Sequence, residues 1–237
     1  MQSSSMAAVA FLSTARVKDD EAKEVVNGLQ QLGAHLQLPN TPCLAGACFL
    51  STPKKETGVK LIGRLEIFPS ESELATVQNS PEYKRFSDSV TGQKLHEGKE
   101  TATLWQPTGG FLTRKNQAST TNAGVLVLAK FICNDKEEAV QNLVKELQTY
   151  CEWIEGNELT TYTYCVMTSQ TASKEVLLFE RYKDLPSVKT HGQTNEFKSM
   201  FKRISPWIET KRTEITPWSE LDGSFFSSLD LEAKAKL

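Results

Sequence analysis

Residues 125–132 are apolar at both alternating sets of positions, Val125, Val127, Ala129 and Phe131 on one side and Leu126, Leu128 and Ile132 on the other. Such a run, bounded by Gly124 and Cys133, predicts a strand covered on both faces. Beyond Asp135 the period changes. Val140, Leu143, Val144, Leu147, Cys151 and Ile154 recur at three- and four-residue steps, which predicts a helix opened by Asp135. A hairpin follows, with strands over 159–167 and 175–182 around a polar turn at Ser169–Ser173. After Leu185–His191, a helix from about Thr194 to Ile208 places Phe197, Phe201 and Ile204 on one face, and Thr213–Trp218 closes the unit as a strand. The order β-α-β-β-α-β is the split arrangement of the ferredoxin-like fold, with helices on one face of a four-stranded antiparallel sheet.

The same unit is written earlier in the chain. Residues 59–86, VKLIGRLEIFPSESELATVQNSPEYKRF, align without a gap on residues 173–200, SKEVLLFERYKDLPSVKTHGQTNEFKSM. The shift of 114 places Glu66 on Glu180, Leu74 on Val188 and Tyr83 on Phe197, with Val77 where the second copy has His191. Upstream, Leu44–Ser51 aligns with Thr161–Thr168 at a shift of 117, which pairs Cys48 with Cys165 and puts three extra residues in the 51–58 connection. Val25, Val26 and Leu29 align with Leu143, Val144 and Leu147 at a shift of 118, and Trp105 aligns with Trp218. The expected fold class is α+β: two tandem ferredoxin-like domains over 1–112 and 120–220, then a tail over 221–237. Each domain leaves one apolar sheet face bare, and burial recovers roughly 25 cal/mol for every Å² taken from water. The two antiparallel sheets are therefore expected face to face, as an intrachain pseudo-dimeric α/β barrel jointed at about 110–122; a further homodimer stays open.

Composition narrows the function. With 39% hydrophobic and 24% charged residues and a net charge of −2, the chain lacks the basic footprint of a nucleic-acid binder. No apolar run approaches the ~20 residues that cross a bilayer, so no membrane partner is expected. The apolar stretch near the N-terminus reads as a first strand, not a signal peptide. Five cysteines, an odd number without paired spacing, and the absence of an Asn-x-Ser/Thr sequon fit a reduced, cytoplasmic protein. The ending Ala235-Lys236-Leu237 is similar to a peroxisomal address, with a docked or frayed helix over FFSSLDLEAK as the alternative. The three histidines, His35, His96 and His191, are not spaced as metal ligands, and no CxxC, HExxH or glycine-rich phosphate loop occurs.

Within this frame, Val176-Leu-Leu-Phe-Glu180-Arg-Tyr182, then Asp184, His191, Thr194, Phe197 and Lys198, resembles the signature of the antibiotic biosynthesis monooxygenase domain, a branch of the dimeric α/β-barrel superfamily. The resemblance covers most of 122–218. The first copy keeps Glu66, Phe68, Pro81, Tyr83 and Phe86 but lacks the histidine. The resemblance implies a pocket between sheet and helices of each domain for a hydrophobic, often aromatic or polyketide-like substrate. It further implies, as in several relatives, oxidation by O₂ without metal, flavin or other cofactor. The function expected is a cofactor-independent monooxygenase acting on a small hydrophobic phenolic, polyketide-like or lipid-derived compound, by base-assisted deprotonation followed by reaction with O₂. Other branches leave two alternatives: a non-catalytic small-molecule-binding or stress-responsive barrel, and an isomerase or decarboxylase. Phe201 stands where the haem-degrading branch carries its iron-binding histidine, and the strand Asn and Trp pair of the polyketide oxygenases has no clear counterpart here.

The candidate catalytic residues are His191, as base, and Glu180. Glu180 shares a strand face with Val176, Leu178 and Tyr182, so its carboxylate should be paired or have a raised pKa. Its alternative role, shared with Glu66, is to stitch the interface between the domains. Arg181 points to the other face. Tyr162 and Tyr164, alternating along one strand, are expected on one face as pocket residues or core. Tyr182, Asn195, Phe201 and Trp218 complete the candidate pocket, Trp218 with packing as its alternative. Cys48 and Cys165 read as small buried side chains.

Overall fold

In a computed structural model, residues 7–51, 58–92, 100–114, 117–118 and 120–228 are described. The first half runs β1 (Val9–Lys18), α1 (Ala22–Leu36), β2 (Ala45–Ser51), β3 (Val59–Phe68), α2 (Glu71–Gln78), α3 (Pro81–Gly92) and β4 (Thr101–Phe111). The second repeats it as β5 (Val125–Ile132), α4 (Ala139–Asn157), β6 (Thr161–Ser169), β7 (Glu175–Tyr182), α5 (Leu185–Gln193), α6 (Asn195–Ile204) and β8 (Glu214–Glu220), and the two-residue β9 (Phe226–Ser227) follows. The strands close in the order β3-β1-β4-β6-β7-β5-β8-β2, with β2 pairing back onto β3, so the two sheets meet edge to edge as one antiparallel barrel. The halves join through β4–β6 and through β2–β8, and β9 lengthens the second seam by pairing Ala45 with Ser227 and Gly46 with Phe226. No described helix is long and apolar enough to cross a membrane.

Alternation along each strand divides the apolar residues into an inner and an outer layer. The barrel interior is one core drawn from both halves: Phe49, Leu65, Ile67 and Trp105 from the first meet Leu126, Met167, Phe179 and Trp218 from the second. Outside the barrel each half packs its own helices. Leu143, Leu147 and Ile154 of α4 and Met200 and Ile204 of α6 cover β5–β7, and Leu32 and Leu36 of α1 with Leu74 and Val77 of α2 cover β1 and β3.

Local sequence sets the helix boundaries. The side chains of Ser70 and Asp184 accept the Glu73 and Ser187 backbone N–H groups and so start α2 and α5. Ser80 and Thr194 do the same for Tyr83 and Phe197 at α3 and α6. These caps are repeat-related, and they break the second helix of each unit in two. Leu185–His191 is therefore helical, and the helix from Thr194 ends at Ile204, where a 3-10 turn over Ser205–Trp207 takes over. Helix α4 begins at Ala139 and not at Asp135. Glu138, with φ of 62°, turns the chain first, and Asp135 instead pairs with Lys174.

The register corrects one alignment. Gly46 lies opposite Glu66 and Tyr164 opposite Glu180, so β2 and β6 correspond at a shift of 118, not 117. The β2–β3 connection is four residues longer than its counterpart, Ala47 is the partner of Cys165, and Cys48 matches Val166. Both thiols are buried as expected, Cys165 inside the barrel and Cys48 under α1. Burial pushes each up to about 12. Trp105 and Trp218 do correspond, facing Ala10 and Leu126. Phe225–Ser228 is extended instead of helical, with Ser228 N–H donating to the Leu44 carbonyl, while Ala235-Lys236-Leu237 lies outside the described residues and lends the peroxisomal address no support.

Phe49 ties the halves together. Its ring meets Trp218 edge-on at 5.0 Å and fills the space above Gly63, where a Cβ would come within 2.1 Å of it. Phe49→Ala is expected to cost about 3–5 kcal/mol, with urea unfolding followed by tryptophan fluorescence and by circular dichroism staying a single shared transition. Two separated transitions would contradict a common interior.

Candidate functional site

The second half gathers its polar chemistry in the outer layer, where β6 and β7 meet α4, α5 and α6. His191, in the last turn of α5, is only 5% exposed, and its Nδ1 lies 2.8 Å from Oε2 of Glu158 at the C-terminus of α4. The same oxygen accepts the Thr161 hydroxyl at 3.0 Å, while the buried Oε1 of Glu158 has no hydrogen-bond partner. Glu180 is buried on β7, and its Oε2 accepts the Tyr182 hydroxyl at 2.6 Å. Burial pushes the Glu180 carboxyl up to about 6, against the opposing pull of the nearby His191 and of the Tyr182 hydroxyl. The Tyr164 and Tyr182 hydroxyls are driven well above the usual phenol range by burial and then by the Glu180 charge, so both stay protonated donors.

Aromatic rings enclose the imidazole. Phe197, Tyr182, Tyr164 and Tyr150 lie 5.1, 5.3, 5.7 and 5.8 Å from it, centroid to centroid. Glu158 is held from behind. Arg114, in the segment joining the halves, donates to the carbonyls of Ile154, Glu155, Glu158 and Thr161 at 2.6–3.0 Å. A cation placed there satisfies carbonyls that the end of α4 leaves without helical partners. A surface depression of about 180 Å³, lined by Asn134, Lys136, Gln141 and Lys174 among others, lies at the opposite end of α4, remote from this cluster.

The candidate residues therefore separate. His191, Glu180, Tyr164 and Tyr182 come together, and half-buried Phe201 stands behind Phe197, stacked on it at 6.3 Å. Trp218 does not join them, because it faces the barrel interior against Phe49 on the other side of the sheet. Asn195 is exposed at the first turn of α6. Tyr162 does not share a face with Tyr164: a bulge between Thr161 and Thr163 breaks the alternation and sets Thr163 opposite Arg181 and Tyr164 opposite Glu180. Glu180 and Glu66 both lie in the outer layers, so neither stitches the halves.

The halves are joined instead by the β4–β6 and β2–β8 seams, and Arg181, which faces inward as expected, ties β7 to β6, to β8 and to the segment before β5. It pairs with buried Glu220 and donates to Thr163 Oγ1 at 3.2 Å and to the Thr121 carbonyl at 2.5 Å, while Glu220 also accepts the Ala123 backbone N–H. Sequence reasoning missed Glu158 and Tyr150. Tyr150 carried a signal, standing three residues after Leu147 on the buried stripe of α4, whereas a helix-end glutamate carries none.

No protein-family model and no curated protein matches the sequence. Among solved structures, the chain is similar to two proteins named "putative monooxygenase". The one from Fusobacterium nucleatum subsp. nucleatum ATCC 25586 has 15% identity and a TM-score of 0.74, over 94% of this chain and 95% of that one. The one from Lactobacillus acidophilus NCFM has 12% identity and a TM-score of 0.71, over 94% and 97%. An anthrone oxidase-like protein follows at 9% identity and a TM-score of 0.62, over 93% of each chain. The chain shares the fold of these proteins over nearly its whole length, two ferredoxin-like units closed into one pseudo-dimeric barrel.

The Glu180 environment sets a pH dependence. A carboxyl whose folded pKa of about 6 exceeds its ordinary 4.5 stabilises the fold fully below the lower value and loses that contribution as pH rises through the higher one. At pH 7 the ionised form costs on the order of 2 kcal/mol, the 1.5-unit displacement at 1.36 kcal/mol per unit. Glu180→Gln is expected to be more stable than the natural chain at pH 7.5 and nearly equal to it at pH 4.5 in urea titrations. A difference independent of pH would show that Glu180 titrates normally.

Proposed function

We propose that the chain is a monooxygenase that works without a cofactor on a small hydrophobic compound, phenolic, polyketide-like or lipid-derived, with its working site in the second half. The observation that carries this reading is the buried His191–Glu158 pair, set beside a carboxyl raised to about 6 and among protonated tyrosines. The imidazole, oriented by Glu158 through Nδ1, is the base that takes the substrate's acidic C–H or O–H proton. The Tyr164 and Tyr182 hydroxyls supply donors for the resulting oxyanion. The anion then reduces O₂, a hydroperoxide forms at the activated carbon, and loss of water leaves a carbonyl. One oxygen atom enters the product as the carbonyl oxygen and one leaves as water; the substrate carbon, which gives up two hydrogens, supplies all four electrons, and the proton taken by the imidazole returns to the peroxide. The names borne by the proteins of similar fold support the same class.

The ring packing around His191 favours a second reading. With Tyr150, Tyr164 and Phe197 filling the space beside the imidazole, the barrel would bind small molecules only when a ring moves aside, and would not turn them over. The isomerase or decarboxylase reading uses His191 and Glu180 as an acid–base pair and needs no oxygen.

Oxygen uptake with a panel of anthrones, hydroquinones and phenols separates the three. The monooxygenase reading predicts stoichiometric O₂ consumption, reduced about 100-fold or more in His191→Ala, in keeping with the contribution of a general base. Uptake unaffected by that substitution would remove His191 as the base. Tight ligands without turnover would establish the binding protein, and solvent deuterium entering product without oxygen use would establish the isomerase or decarboxylase.

A further inference from the structure

The two halves treat the same buried carboxylate differently. In the second, the chain supplies its own phenol, the Tyr182 hydroxyl on Glu180 Oε2. In the first, Glu66 takes the place of Glu180 and Phe68, without a hydroxyl, takes the place of Tyr182. Glu66 Oε1 accepts from Arg64 at 3.0 Å, but the buried Oε2 has no hydrogen-bond partner. An acceptor withdrawn from water without a donor is costly, and a matched donor brought to it recovers that cost.

A second difference lies beside it. Phe11, Glu66, Gly46 and Phe226 are directly paired across β1, β3, β2 and β9, and so share the outer face. The equivalent row in the second half is Val127, Glu180, Tyr164 and Phe111. Where that half has the Tyr164 ring, the first has Gly46, and the Phe226 ring leans across the gap: a Cβ on residue 46 would lie 2.6 Å from its Cε1. Directly opposed residues are about 5 Å apart, so a ring standing over Gly46 is within reach of the Glu66 side chain. The surroundings are aromatic, with the rings of Phe11, Tyr83 and Phe86 each 4.9–5.4 Å from the Arg64 guanidinium. The covering strand is slight. It makes two residue pairs with β2, and Ser224 and Ser228 fasten the segment to Cys48 and Leu44.

We propose that the first half holds a second ligand site, closed by Phe226, for a small neutral aromatic ring carrying one hydrogen-bond donor, a phenol or an aniline, whose hydroxyl or amine donates to Glu66 Oε2. The ring stands over Gly46 in the room that Phe226 vacates, against Phe11 and Tyr83, and reproduces for Glu66 the contact that Tyr182 makes with Glu180. Arg64 pairs with Glu66 and, at 3.5 Å, with Glu100, so the site has no spare positive charge to hold an anion, and a neutral ring suits it better than an ionised one. This site needs no chemistry at His191, and its existence is independent of the monooxygenase reading.

The test titrates the full chain with p-cresol and with toluene, which has the same ring but no donor, by calorimetry and by aromatic NMR shifts at Tyr83 and Phe11. Phe226→Ala is expected to bind p-cresol at least tenfold more tightly than the natural chain does, and at least tenfold more tightly than it binds toluene. In Phe226→Ala combined with Glu66→Gln that preference should shrink severalfold, since the amide accepts more weakly than a carboxylate. Phe226→Leu, a milder change, should show the same order of affinities and serves where the alanine variant unfolds, cooperative melting being the control for folding. Equal affinity for cresol and toluene, absence of binding to either folded variant, or shifts confined to residues around His191 would each overturn the proposal.

Discussion

Closure of the eight-stranded sheet is the constraint on which the rest of the molecule depends. A four-stranded sheet with helices on one face exposes an apolar surface on the other, and here each half covers that surface with its twin. Because successive residues of a strand point to opposite sides, closing the barrel assigns each strand residue at once to the shared interior or to one of the separate outer layers. The interior contains Phe49, Trp105, Phe179 and Trp218 and no part of the polar cluster. The chemistry-bearing residues all lie outside, under the helices of one half.

That separation explains how two copies of one unit carry different buried polar clusters. The interior needs both halves to remain complementary, but the outer layers are free to diverge. In the first, the buried carboxylate of Glu66 is neutralised by Arg64, a permanent cation enclosed by Phe11, Tyr83 and Phe86. In the second, Leu178 stands at the position of Arg64 and His191 at that of Val77, so Glu180 meets an imidazole and a phenol instead. An arginine is a cation with donors only, whereas an imidazole can both donate and accept a hydrogen bond. The half that keeps the imidazole also has Arg114 clamping the helix end that presents Glu158 to it.

The repeat and the period-two and period-3.6 patterns made the architecture legible, because they report which residues face a core. The equivalences of Glu66 with Glu180, Val77 with His191 and Trp105 with Trp218 all follow from residues held in regular elements. What was not legible lies where regularity breaks. A one-residue bulge turned Tyr162 away from Tyr164, and a longer loop displaced the β2 alignment by one position. Glu158 sits at a helix C-terminus, and only the tertiary fold brings it to His191. Trp218 lies in a strand, Glu214–Glu220, in which polar and apolar residues stand on both faces, so the pattern does not say which face turns inward. The two-residue β9 is too short to leave a periodic signal.

Native-state hydrogen exchange with residue-level resolution tests the shared interior most directly. If one core serves both halves, the most protected amides of β1 and β3 and those of β5 and β7 should open with the same free energy and the same denaturant dependence, as one unit. Exchange in which either half opens at substantially lower free energy while the other keeps its protection would contradict the account.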